Sequence, residues 1–492
     1  MEHSLSPVSP KHATRQTLSY GLYIGKNLTA TGHAYLAGYG DEPSSHWLEI
    51  IAETHHAAGS TITVGVTPEA DLPGKLSEVP QAPVTARHVR VCYSHYKGVP
   101  APLSNGGLNE HGVAVRDIWS TSRAELIALT PAGQTGPNYS DLAKLVLERA
   151  RTAREGVELI AQLIARYGYS TYGGNSHIVA DPQEAWVVIE CAGGQKLWVA
   201  ERLGENSIRA SRPGYIGEIP GTPDKDFLFP DHFIEFAVSQ GWHRDGDKFN
   251  VNMVYGDGRG PWEGARWIEA EMARRAETPA KITLEDVIWA IRTPKLTGDT
   301  AGYGQVVPLV HPAHPALRML WHAPVGAVAA PFMPVFLGMT EIAEEYRQHR
   351  YLTSGEHARF MDMRHALGGQ ADEVSIVPQG VEASRSAVAI CKRLLYLALR
   401  DAETSLPELA RIFVAHEARL MALAENMQKV ASMLLDASQA DLAAGMLTYF
   451  ANSELRAGLR LAEQLADGLE ARTRAFGGFD TSLQPKSSPQ VW

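Results

Sequence analysis

Cysteine is scarce. The 492-residue chain has three, Cys92, Cys191 and Cys391. They are odd in number and far apart, which argues against a disulfide framework or a CxxC metal site and leaves them as small buried apolar residues. There is no excess of positive charge. Lys and Arg number 45 against 55 Asp and Glu, a formal net charge of -10, which speaks against a nucleic-acid or anionic-membrane surface. No clean membrane-length run is present either. The most apolar window, Leu320 to Met339, is interrupted by His322, Pro324, Pro331 and Pro334 and reads as extended segments crossing a protein interior. The first 18 residues, MEHSLSPVSPKHATRQTL, lack the apolar stretch of a secretory signal. Two readings of them are open, a leader or a propeptide ending at Leu18. A soluble, cytoplasmic protein without nucleic-acid or membrane partners is the expectation.

Common catalytic signatures are missing as well. There is no G-x-S-x-G elbow, P-loop or dinucleotide fingerprint, and His416-Glu417 is followed by Ala418-Arg419-Leu420 rather than completing H-E-x-x-H. The tight histidine pairs, His55-His56 and His311-x-x-His314, have no carboxylate or cysteine at helical ligand spacing. Neither a metal nor a cofactor is expected.

What is present is the composition of an ordinary globular protein, 45% hydrophobic and 20% charged. Short β-prone runs crowd the stretch from Ser19 to Trp119, with turn chemistry over Asn105 to Gly112. Helical periodicity follows from Ser140 to Arg149, and again after the capping-box spacing Thr152-x-x-Glu155 until Gly168. Strand patterns return over Ser176 to Ala180, Ala185 to Cys191 and Lys196 to Ala200. Helices are expected at Phe229 to Val238, Glu263 to Arg275 and after Thr283-x-x-Asp286, with an ordered loop from Thr293 to Pro315. The last quarter carries three helical patterns, 383–400, 406–435 and 442–474, with Ser405-x-x-Glu408 and Ser438-x-x-Asp441 marking two starts. They read as helices packed on the core or as an interface for a homo-oligomer. This order suits an α+β protein of two sheets with helices outside. The expected organisation is a leader or propeptide (1–18), a core with insertions (19–380), a helical C-terminal region (381–476) and a flexible tail (477–492).

One stretch bears on chemistry. Ser19 opens an apolar run ending at Gly25-Lys26; a turn from Asn27 to Gly32 leads to a second run, His33 to Ala37, and an acidic end at Asp41. Two such runs about a glycine-containing turn read as a hairpin. If the chain is cut before Ser19, its α-amine, with a pKa of about 7.7–8.0, serves as general base for the hydroxyl. Thr17 is a fallback nucleophile.

This hairpin resembles the opening of the C69 dipeptidases, which are N-terminal-nucleophile (Ntn) hydrolases. The resemblance extends to Gly107-Leu108-Asn109-Glu110-His111-Gly112, Tyr139-Ser140-Asp141-Leu142, Gly173-Gly174-Asn175-Ser176, Glu190-Cys191-Ala192-Gly193-Gly194 and Trp198 to Arg202. It implies a layered αββα sandwich of two antiparallel sheets and hydrolysis of small peptides. It puts Ser19 where the family carries its nucleophilic Cys, and Gly38 near a position often basic or polar. Asp41 then falls at the acidic position that orients the α-amine and Asn175 at that of an oxyanion donor. Arg116, Asp117 and Arg202 are candidates for binding substrate. Two further readings stay open: an acyl or aminoacyl transferase of the same fold, and an inactive, partner-binding descendant.

Overall fold

The computed structural model describes residues 19–40, 44–297, 301–353, 355–356 and 382–477. Asp41, the leader and the tail beyond Gly477 lie outside them. The chain is a mixed α and β protein built on two antiparallel sheets, with strands β1 (Tyr20–Ile24), β2 (Ala34–Tyr39), β3 (His46–Ile51), β4 (His88–Tyr93), β5 (Leu103–Asn109), β6 (Ala114–Trp119), β7 (Asn175–Ala180), β8 (Ala185–Glu190), β9 (Trp198–Leu203), β10 (Ile208–Ser211), β11 (Phe227–Leu228), β12 (Tyr303–Leu309), β13 (Met319–Pro324) and β14 (Met333–Phe336). One sheet is six-stranded, in the order β10-β1-β2-β12-β13-β14. The other has eight strands and runs β3-β4-β5-β6-β7-β8-β9-β11, in chain order throughout.

The two sheets meet through β1 and β6–β7. A side chain at Gly21 would run into the Cδ1 atoms of Ile118 and Ile178, so strand alternation fixes the inner face of both sheets. On the eight-stranded sheet the opposite face, with Val115, Val179 and Val188, packs against helices α1 (Tyr139–Arg149) and α2 (Ala153–Tyr167). These helices are well signalled. Asn138 and Asp141 form a capping box on α1, and the Thr152 side chain accepts from the Glu155 amide at the start of α2, which ends at Gly168. Such caps satisfy N–H groups that a helix start leaves without partners.

The six-stranded sheet shares its core with helices α3 (Glu263–Ala276), α4 (Leu284–Arg292), α5 (Ala387–Leu399), α6 (Ala402–Asp436) and α7 (Ala440–Gly477). The three C-terminal helices therefore pack on the core, with Phe413, Leu420, Leu447 and Leu455 fully buried. Ser405 does not start one of them: α6 begins at Ala402, and Ser405 lies inside it, receiving a hydrogen bond from Arg472 Nη2 at 2.9 Å. A local cap signal is overridden there by a tertiary partner.

Two other expectations are corrected. The interval 293–315 contains strand β12, which pairs with β2 on one side and β13 on the other. Its glycine and proline content hides a strand buried on both faces. The glycines at 106 and 107 belong to β5 rather than to a turn, because a Cβ at either would overlap the carbonyl of Val115 or Val89 on the neighbouring strands. Close backbone approach requires glycine at 107, and at 106 both that approach and a φ of +114° require it.

Candidate functional site

Ser19 immediately precedes β1 and is buried, with 8% of its surface exposed. Tyr20 faces Tyr39 across the β1–β2 pair, and Gly21 faces Gly38 there and Ser211 of β10 on the other side. Following β10 outward from Ser211 leads to Gly214, whose N–H donates to the Trp119 carbonyl at 3.1 Å and whose carbonyl accepts from Ser120 Oγ at 3.1 Å. Gly214 also lies directly against Ser176. Since β1 runs antiparallel to β10, its start points to that same end. The register thus gathers Ser19, the Gly40 end of β2, the end of β6 and the start of β7 at one end of the paired sheets. Alternation gives Ser19 the same face as Gly21, between the sheets.

Asn175 begins β7 opposite Trp119 and Glu190, so it reaches the Ser19 end. Its side chain shares the helix-facing side with His177 and Val179. Asn175 Oδ1 accepts from Tyr172 OH at 2.7 Å, and Nδ2 donates to the Ser176 carbonyl at 3.1 Å. A second amide N–H remains on that nitrogen.

Arg116 and Asp117 are neighbours on β6 and therefore face opposite ways. Asp117 is on the helix side, where Asn105 Nδ2 donates to its Oδ1 at 3.0 Å. Arg116 is between the sheets and only 1% exposed. Its Nη1 donates to Tyr303 OH at 2.7 Å and its Nη2 to Gln305 Oε1. A surface role for Arg116 is thereby excluded. Arg202 is at the far end: it pairs with Trp186, near Ala180 and Ala185, whereas the Asn175 end of β8 faces Trp198. Its guanidinium is engaged by Glu184 and Asp226.

The structure adds residues that the sequence did not single out. His177, opposite Asp117, has Nδ1 2.8 Å from Glu190 Oε1 and Nε2 3.0 Å from the Tyr139 carbonyl. Nε2 therefore donates to the Tyr139 carbonyl, and Nδ1 shares a proton with Glu190, whose own pKa burial raises. With the carboxylate ionised the ring is an imidazolium. Burial is the largest influence and opposes that charge, but the Glu190 charge and hydrogen bond, with Asp117 and the Tyr139 carbonyl, together outweigh it and raise the His177 pKa. A histidine and a terminal glutamate inside two apolar strands were the available signal. Arg212, following β10, donates to Tyr39 OH at 2.5 Å and the Leu296 carbonyl at 2.8 Å and sits over the Trp262 ring at 4.5 Å.

Residues 78–261 match the model of peptidase family C69. The matched stretch includes Arg116, Asp117, Asn175 and Arg202 and starts well after Ser19. Over 102 residues the chain is 36% identical to probable dipeptidase B of Lactococcus lactis subsp. lactis (strain IL1403), covering 20% of this chain and 21% of that protein. Over 227 residues it is 29% identical to probable dipeptidase A of Streptococcus pyogenes serotype M3 (strain SSI-1), covering 40% of this chain and 47% of that one. The chain thus matches less than half the length of these curated relatives. A solved mutant of the conjugated bile acid hydrolase from Clostridium perfringens aligns at 11% identity over 65% of this chain and 92% of that chain, with a TM-score of 0.28, too low to carry an argument. Among the described residues no helix is long and apolar enough to cross a membrane.

Proposed function

We propose that this protein is an Ntn-type amidohydrolase of αββα architecture, cleaving amide bonds of small peptides with Ser19 as nucleophile. What supports the reading is that strand register brings the Ser19 start of β1 and the Asn175 start of β7 to the same end of two antiparallel sheets, within a chain whose residues 78–261 match a peptidase family. A substrate lying across that end would meet Ser19 from between the sheets and Asn175 from the helix side. In this mechanism residues 1–18 are removed and the freed α-amine of Ser19 takes the hydroxyl proton as Oγ attacks the substrate carbonyl. Asp41 orients the amine. The second N–H of Asn175 donates to the developing oxyanion. The amine returns its proton to the leaving nitrogen, and water then releases the acyl group from Oγ.

Intact mass of purified protein tests this directly. The expected species lacks residues 1–18, is absent from Ser19→Ala, and hydrolyses dipeptides. A full-length Ser19 protein that still cleaves dipeptides would assign the nucleophile elsewhere; a cut one that transfers acyl groups to amines without hydrolysing dipeptides would favour the transferase.

A further inference from the structure

We infer that Arg116, flanked by Tyr303 and Gln305, receives the free carboxylate of the substrate between the two sheets. The identity of the ligand as a peptide acid rests on the amidohydrolase reading; the anion site itself does not.

Among the described residues three other buried cations have carboxylates, while Arg212 and Arg318 do not. Arg292 is held by Glu417, Lys392 by Glu382 and Arg90 by Glu49. Arg116 is as deeply buried, yet both of its hydrogen-bond partners, a phenol and a carboxamide, are neutral. Among the described residues it enters no ion pair, and its Nε has no hydrogen-bond partner. An isolated buried charge is costly unless paired, so an uncompensated guanidinium inside a fold is a place for an anion to arrive. Arg212, also buried without a carboxylate, differs: two oxygens and an indole face occupy it, and none of its nitrogens is buried without a partner. Arg318, just before β13, donates from Nη2 to the His111 carbonyl and lies away from the Ser19 end of the sheets.

The surroundings of Arg116 are polar and incompletely hydrogen-bonded. Ser211, Gly21, Gly38, Gln305 and His322 form one cross-strand row on the inner face of the six-stranded sheet. Ser211 Oγ, Gln305 Nε2 and His322 Nδ1 in that row are buried without hydrogen-bond partners. Burial, with the Arg116 cation adding to it, pushes His322 down to about 3, so it stays neutral and Arg116 is the cation of the row. Ser19 shares this inner face. A guanidinium presents its N–H groups as a planar fork that matches a carboxylate. The row thus offers an anchor for a peptide's terminal carboxylate on the side of the sheet where Ser19 lies.

The test is calorimetric titration of a Ser19→Ala protein produced from residue 19 onward, the processed form in which the reading above places the site, with alanyl-alanine, leucyl-alanine and their C-terminal amides. The acids should bind about 10- to 100-fold more tightly than the amides, the range for a hydrogen bond to a charged group. Adding Arg116→Met should erase that preference, and Arg116→Lys should restore part of it. Equal binding of acids and amides, binding of neither, or a preference that survives Arg116→Met overturns the inference. Melting without ligand separates a binding role from a structural tie: as an anion site, Arg116→Met melts at or above the parent, whereas a drop of several degrees means that Arg116 serves to join the sheets and the inference fails. Preferential binding of acids by a wild-type protein that never cleaves them would sink the hydrolase reading and leave the anion site standing.

Discussion

Glu417, inside helix α6, accepts from both terminal nitrogens of the Arg292 guanidinium and, through Oε1, from the Phe332 amide at 2.7 Å. Both side chains are almost fully buried. Arg292 ends α4, and its Nε donates to the Ala327 carbonyl at 3.0 Å, so this pair ties the C-terminal helices to the six-stranded sheet. Replacing Glu417 by Ala strands a buried cation and an amide, and should cost about 3–5 kcal/mol. Urea denaturation would measure it. Replacing the pair together, Arg292→Met with Glu417→Leu, should recover much of that loss, since a matched apolar pair is often neutral or better.

Such pairs mark the limit of what the sequence made legible. Helix α1 was readable from its apolar periodicity, and α2 and α4 because their caps, Thr152 and Thr283, act within a few residues of themselves. The β1–β2 hairpin was readable for the same reason. Strand β12 was not, because Gly302, Gly304 and Pro308 are locally turn-like and only pairing with β2 and β13 makes the segment extended. The same holds at the site. Ser19 and Asn175 stand out by local context, whereas Arg116 with Tyr303 and Gln305, and His177 with Glu190, are created by strand register over long sequence separations. No periodicity could announce them.

The His177–Glu190 pair makes stability depend on pH. The folded His177 pKa is raised above its ordinary value of about 6.5. The pair's contribution is therefore fully present below about pH 6.5 and disappears as pH rises through the folded pKa. Between pH 6 and 9 the unfolding free energy of the wild type should fall more steeply than that of His177→Gln. Parallel curves for the two proteins would show that the imidazole is neutral. At pH 6, Glu190→Gln should be destabilised by about 3–5 kcal/mol, as for other buried pairs broken on one side.

Asn175 separates a catalytic from a structural role. As the oxyanion donor, its change to Ala should lower kcat about 10²- to 10³-fold, with KM little altered, because the hydrogen bond is made in the transition state. As a mere anchor for Tyr172, the same change would lower thermal stability and leave kcat of the remaining folded protein intact. Dipeptide kinetics beside a melting curve distinguish the two. Tyr172→Phe removes the hydroxyl that donates to Asn175 Oδ1 but keeps the ring. It should preserve most of the activity if the N–H rather than the carbonyl end does the chemistry.

Two glycines beside Ser19 should respond differently to one added methyl. At Gly21 the new Cβ meets the tip of Ile118 at 2.5 Å and Ile178 at 3.0 Å. Both are ends of flexible side chains in the inter-sheet core, which can change rotamer. Gly21→Ala is then an overpacking substitution, costing about 1–3 kcal/mol. At Gly38 the Cβ overlaps the backbone carbonyl of Tyr20, in the neighbouring strand, and no rotamer relieves that. The β1–β2 pair must spread where Ser19 enters the sheet. Gly38→Ala should therefore be the more destabilising of the two and should lower kcat beyond what its loss of folded protein explains. Gly21→Ala should keep a near-normal kcat per folded molecule. Equal effects on kcat from both would show that the alignment of β1 against β2 does not govern the position of Ser19.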